Sequence, residues 1–134
     1  MAYGSETWAM NIEQEQRLER AEMRMVRWMC DVSLREKKTS SQLRQMLGIE
    51  AVGDVVRRGR LRWLGHVLRT DESEWVKKCF QMQVEGTRSR GRLKLTWEQA
   101  VEQDMKAHGL KREDAKDMVK WRHYSWGVQG QPPL

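Results

Sequence analysis

Proline, cysteine and long apolar runs are scarce in this chain of 134 residues. The two prolines, Pro132 and Pro133, lie at the C-terminal end, so no proline interrupts a helix upstream of them. Cys30 and Cys79 are far apart, which argues against a disulfide framework and favours free thiols in a reducing compartment. No apolar run reaches the length of a membrane span, and no signal-peptide pattern occurs. We therefore expect an intracellular protein, nuclear or cytoplasmic, without a membrane partner.

The histidines form no metal-binding or catalytic pattern. His66, His108 and His123 do not stand at zinc-ligand spacing from either cysteine. No Ser/His/Asp or Cys/His arrangement can be argued from the spacing either. We therefore expect no metal site and no cofactor in this chain.

Three capping boxes predict the beginnings of helices. Asn11, Thr39 and Thr96 are each followed three residues later by glutamine, whose side chain can reach back to the capping residue. Gly48 and Gly109 predict the ends of the second and fourth helices. The capping signals thus predict three of about five helices.

Apolar periodicity predicts the other two helices, from about residue 54 to 68 and from about residue 112 to 124. The third helix carries two neighbouring apolar stripes, so we expect it to pack against two partners, with Gly59 as a point of close approach. Residues 75–80 could form one helical turn or a short strand. The predicted fold is all-α, a small irregular bundle with a basic loop and a disordered C-terminal tail.

Tryptophan is abundant, with seven residues in the chain. Trp28, Trp63, Trp97 and Trp121 fall in helical apolar patterns, which predicts core packing rather than base stacking. Trp75 lies close to the basic region, where stacking on a base or sugar is the alternative.

The net charge of +6 is concentrated in the middle of the chain. Residues 1–50 carry eight basic and eight acidic side chains, and residues 96–134 carry six of each. Residues 51–95 carry eleven basic against five acidic side chains. A basic centre between two neutral arms predicts a polyanionic partner, with a solvated charged surface as the alternative.

Two sets of basic residues are the candidate phosphate contacts. At helical spacing Arg58, Arg62 and Arg69 share one face of the third helix, and their planar forks suit phosphate oxygens. The alternative for this face is solvation, or pairing with Glu72 or Glu74. The second set lies in a loop in which like charges repel one another unless a polyanion neutralises them. Its members are Arg88, Arg90, Arg92 and Lys94.

Several segments resemble the reverse transcriptases of non-LTR (LINE-type) retrotransposons. Residues 57–69, RRGRLRWLGHVLR, are similar to a region downstream of the polymerase palm, and residues 3–8, YGSETW, resemble part of the thumb. Residues 25–35, 86–92 with Trp97, and 115–122 are similar to further elements in the same order. Leu93 departs from the pattern, since the family usually has proline there. The resemblance covers roughly residues 2–123.

The resemblance implies a fragment without the catalytic centre. The palm of this family holds two metal ions with aspartates, and no Asp-Asp pair occurs in this chain. We therefore expect no polymerase activity here, and magnesium belongs to the parent enzyme. The implied function is sequence-tolerant binding of RNA, RNA–DNA hybrid or DNA. A protein-interaction or oligomerisation module, self-associating through apolar helix faces, is the alternative.

The implied organisation has four parts along the chain. They are a thumb-like helical segment (1–70), a basic linker (71–95), a post-thumb helical hairpin (96–126) and a disordered tail (127–134).

Overall fold

The computed structural model describes residues 3–87 and 89–125. Within these residues the regular secondary structure consists of helices, and there is no strand. The all-α prediction is therefore confirmed. The α-helices are α1 (Ile12–Met29), α2 (Ser40–Leu47), α3 (Val52–Arg69), α4 (Trp75–Gln81), α5 (Trp97–Ala107) and α6 (Met118–Ser125). Short 3₁₀ helices span Ser5–Thr7, Leu34–Glu36 and Arg112–Lys116. Arg88 and the predicted tail lie outside the described residues.

All three predicted capping boxes are present. The Asn11 side chain accepts from the Gln14 backbone N–H at 2.8 Å, and the Gln14 side chain accepts from the Asn11 N–H at 3.0 Å. Thr39 and Thr96 cap α2 and α5 with the same reciprocal bonds. Gly48 ends α2 in the left-handed conformation, at φ 63°. Each cap contributes about 1 kcal/mol to helix stability, which explains why local sequence located these helices.

Helix α3 is the central element, as its two apolar stripes predict. Its Leu61 and Leu64 are buried against Val101 and Met105 of α5 and against Trp121 of α6. A smaller cluster joins α1 to α2. Segments from both ends of the chain therefore pack on α3.

Gly65 allows the close approach of α6 to α3. The Trp121 indole is 2% exposed and donates its N–H to the Leu61 carbonyl at 2.9 Å. A Cβ atom on Gly65 would lie 2.7 Å from Cδ1 of that indole. Gly59, where the sequence predicts a close approach, would place its Cβ 4.0 Å from the nearest neighbour, in Glu6. Packing therefore excludes a side chain at Gly65 but not at Gly59.

A buried ion pair joins α3 to α5. Arg60 donates from Nε and Nη2 to the Asp104 carboxylate at 2.8 and 3.1 Å, and both residues are buried. Burial raises the pKa of Asp104, and the hydrogen bonds from Arg60 oppose that shift. The pair ties α5 to α3, because separating the two helices here would leave each charge without its partner.

Two predicted segments differ in detail. Residues 75–80 belong to a helix, α4, within the predicted linker. The predicted helix from about residue 112 to 124 is divided into a 3₁₀ helix and α6 at Asp117. The Asp117 carboxylate accepts from the backbone N–H groups of Val119 and Lys120 at 3.0 Å. These bonds compete with continuous helix and start α6 anew.

The prediction that Trp28 is a core residue is wrong. Trp28 is 84% exposed, and Met29 is 70% exposed. Helix α1 turns the side that carries Val26 toward the protein, where Glu15 and Glu22 form ion pairs with basic residues of α3 and α2. The apolar side that carries Trp28 therefore faces outward.

Candidate nucleic-acid interface

Two of the three arginines of the face predicted on α3 form hydrogen bonds within the protein. Arg58 donates from both Nη atoms to the Glu50 carboxylate, at 2.7 and 2.6 Å, and these bonds lower the pKa of Glu50. Arg69 donates to the Ala115 carbonyl at 3.0 Å. Arg62 is exposed, and its guanidinium has no hydrogen bond or ion pair among the described residues. Of this face, Arg62 is the cation best placed to contact a ligand.

The basic loop, residues 88–94, lies between α4 and α5. Arg90, Arg92 and Lys94 are exposed, and none has an ion pair within the part of the chain that the structure describes. Arg88, the fourth predicted contact, lies outside the described residues. Gly91 has a φ of 128°, a conformation that favours glycine and leaves the backbone open to close approach. The loop thus presents at least three cations in five residues to solvent.

A polar groove separates the basic loop from α1 and α5. Its volume is about 870 Å³. Arg92 and Lys94 form one wall, Gln14 and Gln16 of α1 form another, and Gln99 lies on the α5 side. The amide oxygens of Gln14 and Gln99 accept in the capping boxes, and their amide N–H groups can donate to the phosphate oxygens of a nucleic acid.

Helix α1 carries a row of arginines that charge counting along the sequence does not detect. The arginine row consists of Arg17, Arg20, Arg24 and Arg27, spaced at three, four and three residues. This spacing places the four side chains along one side of a helix. Because residues 1–50 have no net charge, counting makes this segment a neutral arm. The helical spacing is the signal that could have revealed the row.

The tryptophans divide into packed and exposed groups. Trp121 is buried, and the Trp97 indole donates to the Glu6 carbonyl at 2.7 Å. Trp63 is half-buried and stacks at 5.3 Å on His66. Trp75 is 77% exposed, with the Lys78 ammonium 5.2 Å from its ring centroid. An exposed ring with a cation beside it suits stacking on a base, so the alternative for Trp75 stays open.

Within residues 3–87 and 89–125, no helix has the length and apolar character needed to cross a membrane. Comparison of the chain with protein-family models, with curated proteins and with solved structures finds no match. Function is therefore inferred from the residues themselves.

Proposed function

We propose that this chain is a fragment of a LINE-type retrotransposon reverse transcriptase, comprising the end of the thumb and the helical region after it. Its role is to bind RNA or an RNA–DNA hybrid through phosphates, without reading the sequence. The motif similarities of residues 3–8, 57–69 and 86–92 support the parent family. Without an Asp-Asp pair, polymerisation is not proposed for this chain, and magnesium remains a cofactor of the parent enzyme.

The exposed basic loop is the observation that carries the proposal. Arg90, Arg92 and Lys94 have no carboxylate partner among the described residues, so their mutual repulsion is relieved by solvent ions or by a bound polyanion. A polyanion that displaces those ions gains free energy from their release. Phosphates are common to every sequence, so contacts of this kind grip the backbone and ignore the bases.

We assign Arg62 to the same interface, and we assign Arg58 and Arg69 to internal contacts. The guanidinium of Arg58 is held by both oxygens of Glu50, and a phosphate would have to compete with that pair. Arg69 ties the end of α3 to residue 115. Arg88 stays a predicted contact.

Fluorescence anisotropy across a salt series tests the proposal. The purified chain is titrated into labelled single-stranded RNA, duplex DNA and RNA–DNA hybrid. We expect all three to bind, the hybrid most tightly, with affinity falling steeply as salt rises.

Variant R90A/R92A/K94A should weaken binding to every probe. It should flatten the log–log salt slope by about two for single-stranded RNA, at roughly 0.7 for each phosphate interaction removed, and by about 2.7 for duplex DNA, at roughly 0.9 each. The matched control is K106A/K116A/R122A, which removes three exposed positive charges that do not line the groove beside the basic loop. Equal weakening in the two folded variants would contradict the loop assignment, and no binding by the wild type at low salt would contradict the function.

The outer apolar face of α1 favours a second candidate, an oligomerisation or protein-interaction module. Met25 and Trp28 are 45% and 84% exposed, and Met29 continues the same face. Exposed apolar surface of this kind commonly marks a contact site. Sedimentation would show self-association that persists at high salt and is lost in Trp28→Ser. That result, together with absence of nucleic-acid binding, would favour this candidate over the first.

A further inference from the structure

A second positively charged groove lies between α1 and α2, away from the basic loop. Its volume is about 820 Å³. Arg20, Arg24 and Arg27 of the arginine row line it from α1, and Arg44 lines it from α2. Glu19 is the carboxylate on the same lining. Four arginines line the groove against Glu19 and against Glu22, which is bonded to Arg44, so the groove keeps an excess of positive charge that suits an anion.

The acidic residues of α1 neutralise this groove only in part. Glu15 pairs with Arg57 of α3. Glu22 accepts from Arg44 at 3.0 Å, which engages one nitrogen of that guanidinium. Glu15 and Glu22 are therefore held against α3 and α2, whereas Arg20 and Arg24 are exposed and have no ion pair among the described residues.

Two guanidinium groups of the groove have donors without acceptors. Arg27 donates from Nη2 to the Lys38 carbonyl at 2.7 Å, while its buried Nη1 has no partner among the described residues. The buried Nε of Arg44 is also without a partner there. Buried N–H groups are nearly always hydrogen-bonded in native proteins. Each of the two guanidinium groups is held at one nitrogen and keeps a donor that the described residues do not satisfy, as Arg60 does in the core.

The groove shares a lining residue with the groove beside the basic loop. Gln16 lines both of them. From Gln16 to Arg27 the helix rises by about 16 Å, at 1.5 Å per residue. A single small anion cannot occupy a track of that length, whereas successive phosphates of one strand can.

We propose that the groove between α1 and α2 binds the phosphates of a nucleic-acid strand and extends the interface beyond the basic loop. This inference rests on the proposed function and enlarges it. A strand held by the basic loop passes Gln16 and continues along the arginine row. A whole duplex is too wide for a groove of this volume, so one backbone enters it.

The test compares R20A/R24A with K106A/R122A in binding a labelled single-stranded RNA of 12 nucleotides. Arg20 and Arg24 are exposed, and neither takes part in the ion pairs of the described residues. We expect R20A/R24A to weaken binding about tenfold and to flatten the salt slope by about 1.4, which is 0.7 for each phosphate interaction removed. The control should stay within about twofold. Equal behaviour of the two variants would overturn the inference.

The outcomes separate this inference from the proposed function. Loss of binding in R90A/R92A/K94A with full binding in R20A/R24A would overturn the groove and leave the loop intact. Loss of RNA binding in R20A/R24A alone would support the groove and contradict the assignment of the basic loop. A wild type that does not bind RNA would refute both.

Two further measurements identify the ligand of the groove. Glu19→Gln removes the carboxylate of the lining and should tighten RNA binding about threefold, while unchanged affinity would count against a strand in the groove. Inorganic phosphate should compete no better than chloride at equal ionic strength. Displacement of the RNA by millimolar phosphate in the wild type, but not in R20A/R24A, would reassign the groove to free phosphate and overturn the inference.

Discussion

Replacement of Gly65 by alanine should destabilise the protein, although alanine is the better helix former. The new Cβ would lie 2.7 Å from Cδ1 and 3.0 Å from Cε2 of Trp121. Non-bonded carbon atoms prefer separations of about 3.5–4.0 Å, so the indole would have to move by roughly 1 Å. Trp121 is 2% exposed and packed among the core residues of α3 and α5, and it has little space in which to move.

The magnitude follows from three effects. Overpacking a filled core costs about 1–3 kcal/mol. Displacing the indole also removes its hydrogen bond to the Leu61 carbonyl, and a buried donor left without a partner costs a further 1–3 kcal/mol or so. The higher helix propensity of alanine offsets about 1 kcal/mol of this. We expect Gly65→Ala to lower the free energy of unfolding by about 3 kcal/mol.

Gly59→Ala is the matched control, because it adds the same methyl group to the interior of the same helix. The nearest atom to its Cβ is 4.0 Å away, at ordinary contact distance, so we expect a stabilisation of up to about 1 kcal/mol. Urea unfolding followed by circular dichroism would show the two variants about 4 kcal/mol apart. With an m-value of about 2 kcal/mol/M, their midpoints would differ by about 2 M. Equal stability of the two variants would refute the account of Gly65.

Three other predictions concern charge and burial. Asp104→Ala should lower the free energy of unfolding in urea by about 3–5 kcal/mol, because it leaves Arg60 buried without its partner. The double variant R60M/D104L should recover most of that loss. A double variant no more stable than Asp104→Ala would contradict this explanation. The pKa of Glu50 lies below its ordinary 4.5, so its pair with Arg58 contributes stability above that pH and loses it as the pH falls through the lowered value. Glu50→Gln should therefore be less sensitive to acid than the wild type, by under about 1 kcal/mol because the pair is exposed, in unfolding measured from about pH 7 to pH 3. Trp28→Ser should leave the free energy of unfolding of the monomer within about 0.5 kcal/mol, and a larger loss would show that the ring is packed after all.

Local sequence was sufficient to predict most of the helices, but it left α4 open and did not predict the division at Asp117 or the orientation of the helices in the bundle. The caps at Asn11, Thr39 and Thr96 involve side chains only three residues from their partners, so they are visible before any tertiary contact forms. Trp28 was misplaced because α1 has two usable sides. Periodicity shows that an apolar side exists, and only the contacts with α2 and α3 decide which side is covered.

The contacts that define the core join residues distant in sequence. Arg60 and Asp104 are 44 residues apart, and Leu61 and Trp121 are 60 apart. In the sequence, Arg60 cannot be distinguished from a solvated arginine, because the carboxylate that pairs with it is distant along the chain. For the same reason the predicted face on α3 included Arg69, whose partner is a backbone carbonyl 46 residues away. Composition predicted the basic loop more successfully, because an excess of charge within a few residues depends on no distant contact.

The arginine row shows why charge counted along the chain is an incomplete guide to a binding surface. Eight basic and eight acidic side chains cancel in residues 1–50, yet not every acid is paired with a basic residue of the same segment. Glu15 and Glu22 are half-buried in ion pairs with α3 and α2, whereas Arg20 and Arg24 are exposed. Each carboxylate drawn into a pair with another helix leaves an arginine of α1 without its local counter-charge. The ion pairs that hold α1 on the bundle therefore leave the positive charges of Arg20 and Arg24 unbalanced.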